Sequence, residues 1–235
     1  MKIFVIGVFH NISKDMGGDK MATGLVADEL KPQVEKLILE NLIGKCAIIL
    51  EGYSGVFSEG HPKYDEALEQ LSIHSAVSPL RDKKPVLFGC DPRRTGKNQK
   101  ELRHSHGELT ELYVFANKWT KIINPPKDYE EALAMIRSDS LRFEIKLRPS
   151  PRLKRIAKKA YNQLQDTDAS FIAKAKELSA NFDSCVIVVG GSHVEDIHKK
   201  TGWNFARMDV GTVSLYDFVM GYIVHRNIAR SIAEY

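Results

Sequence analysis

Four stretches of the chain are predominantly apolar, residues 2–8, 46–50, 85–89 and 185–190, and the first and last are mostly β-branched. An unbroken run of four to eight such residues ended by glycine or polar residues predicts a strand buried on both faces of a parallel sheet. Between them the period changes. Leu25, Val26, Val34, Leu37, Ile38 and Leu42 recur at helical spacing, so Met21–Ile43 is expected to be helical, with Pro32 able to kink or split it. Pro62 suits the first turn of a further helix running to about Ser75. From Asn98 to Phe182 no convincing strand is read. Stripes at Leu109–Trp119 and Ala132–Leu141 predict helices, and Pro149 and Pro151 precede two more over 152–164 and 168–181. Asn204–Asp209 reads as a fifth strand and 213–233 as a closing amphipathic helix. Alternation of strands and helices implies an α/β fold, a mainly parallel sheet flanked by helices. The pattern predicts one domain over 1–235, with 98–182 a helical insertion or cap between the third and fourth strands.

Two strands carry the same ending. Ile3-Phe-Val-Ile-Gly-Val-Phe-His10 and Val186-Ile-Val-Val-Gly-Gly-Ser-His193 each run through apolar residues into Gly, two residues and His. Ligands collect outside the carboxyl ends of the strands in open α/β sheets. The other two long strands end in Glu51 and Asp91. If the sheet is parallel, His10, Glu51, Asp91 and His193 share one edge. Two imidazoles and a carboxylate are a common three-ligand set for a divalent metal with a position left for water. Ser192 and Glu195 have capping-box spacing, which puts His193 on the first helical residue. The positive end of the helix dipole there predicts a neutral imidazole.

Composition narrows the classes. With 235 residues and 43% hydrophobic content the chain can bury a full core, and its formal charge of +4 permits acidic ligands without demanding nucleic acid. Cys46, Cys90 and Cys185 lack Cys-x-x-Cys spacing and suit reduced thiols of a cytoplasmic protein. A packed thiol is favoured over a nucleophile at Cys90. The first apolar run ends at His10, too early for a signal peptide, and nothing approaches the roughly 20 apolar residues of a membrane span. Arg93 and Arg94, beyond Asp91, suit a substrate phosphate or carboxylate or an oxyanion, although the P-loop spacing is absent. Lys146, Arg148, Arg152, Lys154, Arg155, Lys158 and Lys159 form an acid-free run, but Leu147, Leu153, Ile156, Ala157 and Ala160 give it an apolar face. A solvated helix side is the favoured reading, and nucleic acid is not an expected partner.

Gly7-Val-Phe-His10, Glu51 in Ile-Leu-Glu-Gly, and Gly190-Gly-Ser-His193 together resemble the Tiki/TraB superfamily, which includes erythromycin-esterase-like and ChaN-like proteins. Asp166-Thr-Asp-Ala-Ser-Phe-Ile-Ala173 is similar to the family's acidic–Arg–Asp segment, but Thr167 stands where the family usually has Arg. The resemblance implies a hydrolase that activates water against a peptide, ester or related bond of a peptide or small-molecule substrate. His10, Glu51 and His193 would be catalytic and hold a divalent metal (Mn, Zn or Co). Asp91, Arg93 and Arg94 are the substrate-binding candidates by their own place at a strand end, and Arg93 or Arg94 could supply the cation missing at Thr167. The alternative is a non-catalytic protein of the same fold that binds a metal, haem or anionic small molecule. Substrate, metal and oligomeric state are left open.

Overall fold

The computed structural model describes residues 1–8, 26, 28–72, 77–92, 106–208, 214–222 and 229–234. His10, Arg93 and Arg94 lie outside the described residues. The chain divides into two compact units: 1–99 with 167–209, and 100–166 with 210–235.

The first unit is built on a six-stranded mixed sheet, mostly parallel. Its strands are β1 (Lys2–Val8), β2 (Cys46–Leu50), β3 (Ser54–Phe57), β4 (Val86–Cys90), β7 (Ser184–Gly190) and β8 (Asn204–Arg207), in the order β3-β4-β2-β7-β1-β8. All neighbouring strands are parallel except β3, which runs antiparallel to β4. The four long strands were legible because both their faces are covered. Val5, Ala47, Ile49, Cys185, Ile187 and Val189 enter one core with Phe171, Ala175, Leu178, Val194 and Ile197. The alternating Ile6, Val8, Ile48, Leu50, Val186 and Val188 enter the other with Val34, Ile38 and Leu68. A strand with no solvent face has no polar alternation, hence the continuous runs.

Helices complete this unit: α1 (Lys31–Asn41), α2 (Tyr64–Glu69), α3 (Pro79–Asp82) and α7 (Gly191–Thr201). A short 3₁₀ turn over Asp28–Leu30 precedes α1, so Pro32 starts the helix instead of kinking it. Edge strand β3 was not expected from the sequence. Its Ser-Gly-Val-Phe has only one buried residue, and it exists because Gly89 lets the Tyr53–Ser54 backbone lie against β4, where a Cβ would overlap it.

The second unit contains α4 (His106–Trp119), β5 (Thr120–Ile123), α5 (Tyr129–Arg137), β6 (Arg142–Ile145), α8 (Leu215–Tyr222) and α9 (Ala229–Glu234). Its core gathers Leu112, Ala116, Ile136, Leu153, Ile156, Phe218 and Ile232. Asp128 caps α5 by accepting from the Glu131 backbone N–H at 2.8 Å.

A wholly helical 98–182 insertion is therefore not what forms. β5 and β6 pair antiparallel, and at four residues each they are too short for a periodic signal. The expected helices 152–164 and 168–181 are one, α6 (Pro151–Leu178), because no Gly or Pro interrupts Gln163–Ser170. Its residues from 167 onward group with the sheet, since Phe171, Ala175 and Leu178 are part of that core. Among the described residues no helix is long and apolar enough to cross a membrane.

Candidate active site

Strands β2, β7 and β1 are neighbours and parallel, so their carboxyl ends share one edge. Glu51 follows β2, and α7 follows β7 directly. Gly190 is the N-cap of α7, so the helix starts two residues earlier than a Ser192 cap would set it. The close approach of α7 to β1 requires glycine: a Cβ on Gly7 would overlap the Val194 side chain and come within 3.2 Å of the Gly191 Cα. Glu195 is not part of a capping box. Its carboxylate accepts from Arg207 Nη1 at 2.9 and 3.0 Å, a pair with side chains 1% and 6% exposed.

This start makes His193 the third residue of α7 and buries it to 3% exposure. Its Nδ1 lies 2.7 Å from Asp168 Oδ1, and its Nε2 lies 3.5 Å from Glu51 Oε1. The other Glu51 oxygen, Oε2, accepts the Gly190 backbone N–H at 2.5 Å. Phe171 meets the imidazole edge to face, with centroids 6.1 Å apart. Lys200 Nζ stands 3.5 Å from Asp168 Oδ2, and its side chain is 38% exposed. The result is a row of alternating charge, Lys200–Asp168–His193–Glu51, with its inner three members almost completely buried.

The expected neutral imidazole is not what this geometry gives. Burial by itself disfavours the charged ring. The Glu51 charge and the hydrogen bonds to Asp168 and Glu51 outweigh it and push the pKa up to about 9. A helix end contributes only about 0.3–1 kcal/mol at exposed sites, less than two carboxylates in direct contact inside the protein. His193 is therefore an imidazolium at neutral pH.

Asp91, expected to touch substrate, is fully buried, and its Oδ2 accepts the Gly52 N–H at 3.1 Å. Its own backbone N–H donates to Tyr53 O at 3.2 Å. Gly52 has φ +79°, so Asp91 braces the left-handed turn that fixes Glu51. Burial pushes the Cys90 thiol up to about 11, which leaves it un-ionised and suits a packed side chain more than a nucleophile.

The structure thus brings Glu51 and His193 together, while the expected site residues His10, Arg93 and Arg94 lie outside the described residues. Sequence reasoning did not assign Asp168 or Lys200. Asp168 sits in the stretch compared with the family's acidic segment, but nothing local shows that it reaches an imidazole 25 residues later.

For a metal, the donor set is incomplete among the described residues, where no three His, Cys, Asp or Glu side chains form a cluster that could hold one. Two donors fit. His193 Nε2 and Glu51 Oε1 are 3.5 Å apart, near the roughly 3.3 Å separating two ligands of a tetrahedral zinc ion with bonds of about 2.0 Å. Asp168 on Nδ1 is the partner that orients a ligating imidazole.

No protein-family model matches the chain, and neither curated proteins nor solved structures gave a significant match.

Proposed function

We propose that this edge is the active site of a hydrolase, with Glu51 and His193 activating water against a peptide, ester or related bond. The observation that supports the reading is the His193 ring held between Asp168 and Glu51 at the carboxyl ends of adjacent parallel strands. Glu51 is the base: Oε2 is anchored to the Gly190 N–H, and Oε1 is the oxygen placed to accept a proton from water. His193, protonated, is the acid that donates from Nε2 to the departing group or steadies negative charge. Asp168 fixes the ring by holding Nδ1–H. The resemblance to Tiki/TraB proteins supports the same residues and adds His10 as a third member. Where a divalent metal such as Mn, Zn or Co is part of the site, His193 Nε2 and Glu51 would hold it with His10. It would then lower the pKa of a bound water.

The test is a screen of peptide and ester substrates with the wild-type chain, His193→Ala and Glu51→Gln, with and without chelator. Each substitution should reduce turnover by about 10²-fold or more while circular dichroism stays unchanged. Full turnover in His193→Ala would refute the assignment.

The second reading is binding without chemistry. It is favoured by burial: His193 and Glu51 are 3% and 5% exposed, which suits a small ion better than a polymer. Tightly bound metal with no turnover on any substrate class would select it.

A further inference from the structure

One segment of the chain carries a dense run of positive charge. Residues 146–159 hold seven Lys and Arg and no Asp or Glu. Removing those seven from the 34 Lys and Arg leaves 27 against 30 Asp and Glu, so the rest of the chain is net negative. The segment covers the approach to α6 and its first turns, within the second unit.

The structure adds what the sequence could not. Leu153, Ile156, Ala157 and Ala160 are buried in the core of that unit, so the apolar face is already occupied. Lys146, Arg148, Arg152, Arg155 and Lys158 are exposed. Arg152 pairs with Glu111 at 3.0 Å and Lys159 with Glu108 at 3.6 Å. Lys146, Arg148, Arg155 and Lys158 form no ion pair among the described residues. Arg152 and Lys154 also sit in the first turn of a helix that carries no acid there, where the dipole opposes them. A merely soluble helix face would intersperse both signs and place acids in that turn.

We infer that this face of the second unit docks on the phosphate backbone of duplex nucleic acid. A membrane surface is the poorer fit, because an interfacial helix needs a free apolar face and this one is buried. Single strands fit less well too, since residues 146–159 contain no aromatic side chain on which bases would stack. A duplex carries one charge per about 1.7 Å of axis, and Arg152 to Lys158 spans about 9 Å of helix, so several phosphates face the patch at once. Lys and Arg that address phosphates carry no sequence information, so binding by this patch is independent of sequence.

The experiment is fluorescence anisotropy of a labelled DNA duplex titrated with the full chain over a series of salt concentrations. The patch variant is Lys146→Gln, Arg148→Gln, Arg155→Gln and Lys158→Gln combined, chosen because none of the four loses an ion pair among the described residues. A control with the same charge change elsewhere combines Lys36→Gln, Lys63→Gln, Lys127→Gln and Lys176→Gln, all exposed. The wild type should bind with affinity falling steeply in salt. The patch variant should bind about tenfold or more weaker, with a log–log salt slope shallower by about 3–4, at roughly 0.9 per phosphate contact. The control should stay within about twofold of wild type. Absence of duplex binding at low salt would overturn the inference. So would a control as weak as the patch variant, or equal binding to anionic vesicles or an acidic polypeptide at matched salt.

Discussion

Replacing His193 with Gln tests the charge state on which the site depends. The unfolded chain releases the His193 proton near 6.5, and the folded protein near 9. The native state binds this proton more tightly. The resulting stabilisation is fully present below pH 6.5 and is lost as pH rises through about 9. At 1.36 kcal/mol per unit, the gap between the two values is worth about 3 kcal/mol, most of which disappears between pH 6.5 and 9. The buried thiols Cys90 and Cys185, held up at about 11 and 12, bias stability in the same direction, but only above pH 9. In His193→Gln the carboxylates of Glu51 and Asp168 lose the cation between them, a change that costs about 3–5 kcal/mol for a buried pair. The variant should therefore be more destabilised relative to wild type at pH 6.5 than at pH 9, with the difference narrowing by about 2–3 kcal/mol between them. Urea unfolding in the presence of chelator, followed by circular dichroism at each pH, measures the difference. An NMR titration of the wild-type imidazole reads the pKa directly. Parallel stability profiles in the two proteins, or an imidazole titrating at or below 6.5, would refute the argument.

The same proton affects metal binding. An ion taken at Nε2 displaces it, so affinity for Zn²⁺ or Mn²⁺ should rise about tenfold per pH unit between about pH 7 and 9; competition with a chromogenic chelator measures this, and pH-independent affinity would exclude Nε2 as a ligand. Gly89→Ala and Gly7→Ala should both destabilise, by about 1–3 kcal/mol, with Gly89→Ala the worse. Its Cβ meets the Tyr53 and Ser54 backbone, whereas the Gly7 Cβ meets mainly the movable Val194 side chain. Thermal melts that rank them the other way would contradict the packing described for β3 and α7.

From the sequence alone came the α/β class, the four buried strands and the placing of Glu51 and the second Gly-x-x-His at strand ends. These follow from local chemistry, since a strand buried on both faces must be apolar throughout and must end where polar residues begin. Tertiary contact decided the rest. Strands β3, β5 and β6 are four residues each and are held by their partners, not by their own pattern. Helix α6 continues through Asp166-Thr-Asp168 because nothing there breaks it, and that continuity carries Asp168 to His193. The helix dipole, visible in the sequence, argued for a neutral imidazole. The two carboxylates that overrule it lie 25 and 142 positions away along the chain, at distances fixed only by the packing of β2, β7 and α6 around one ring.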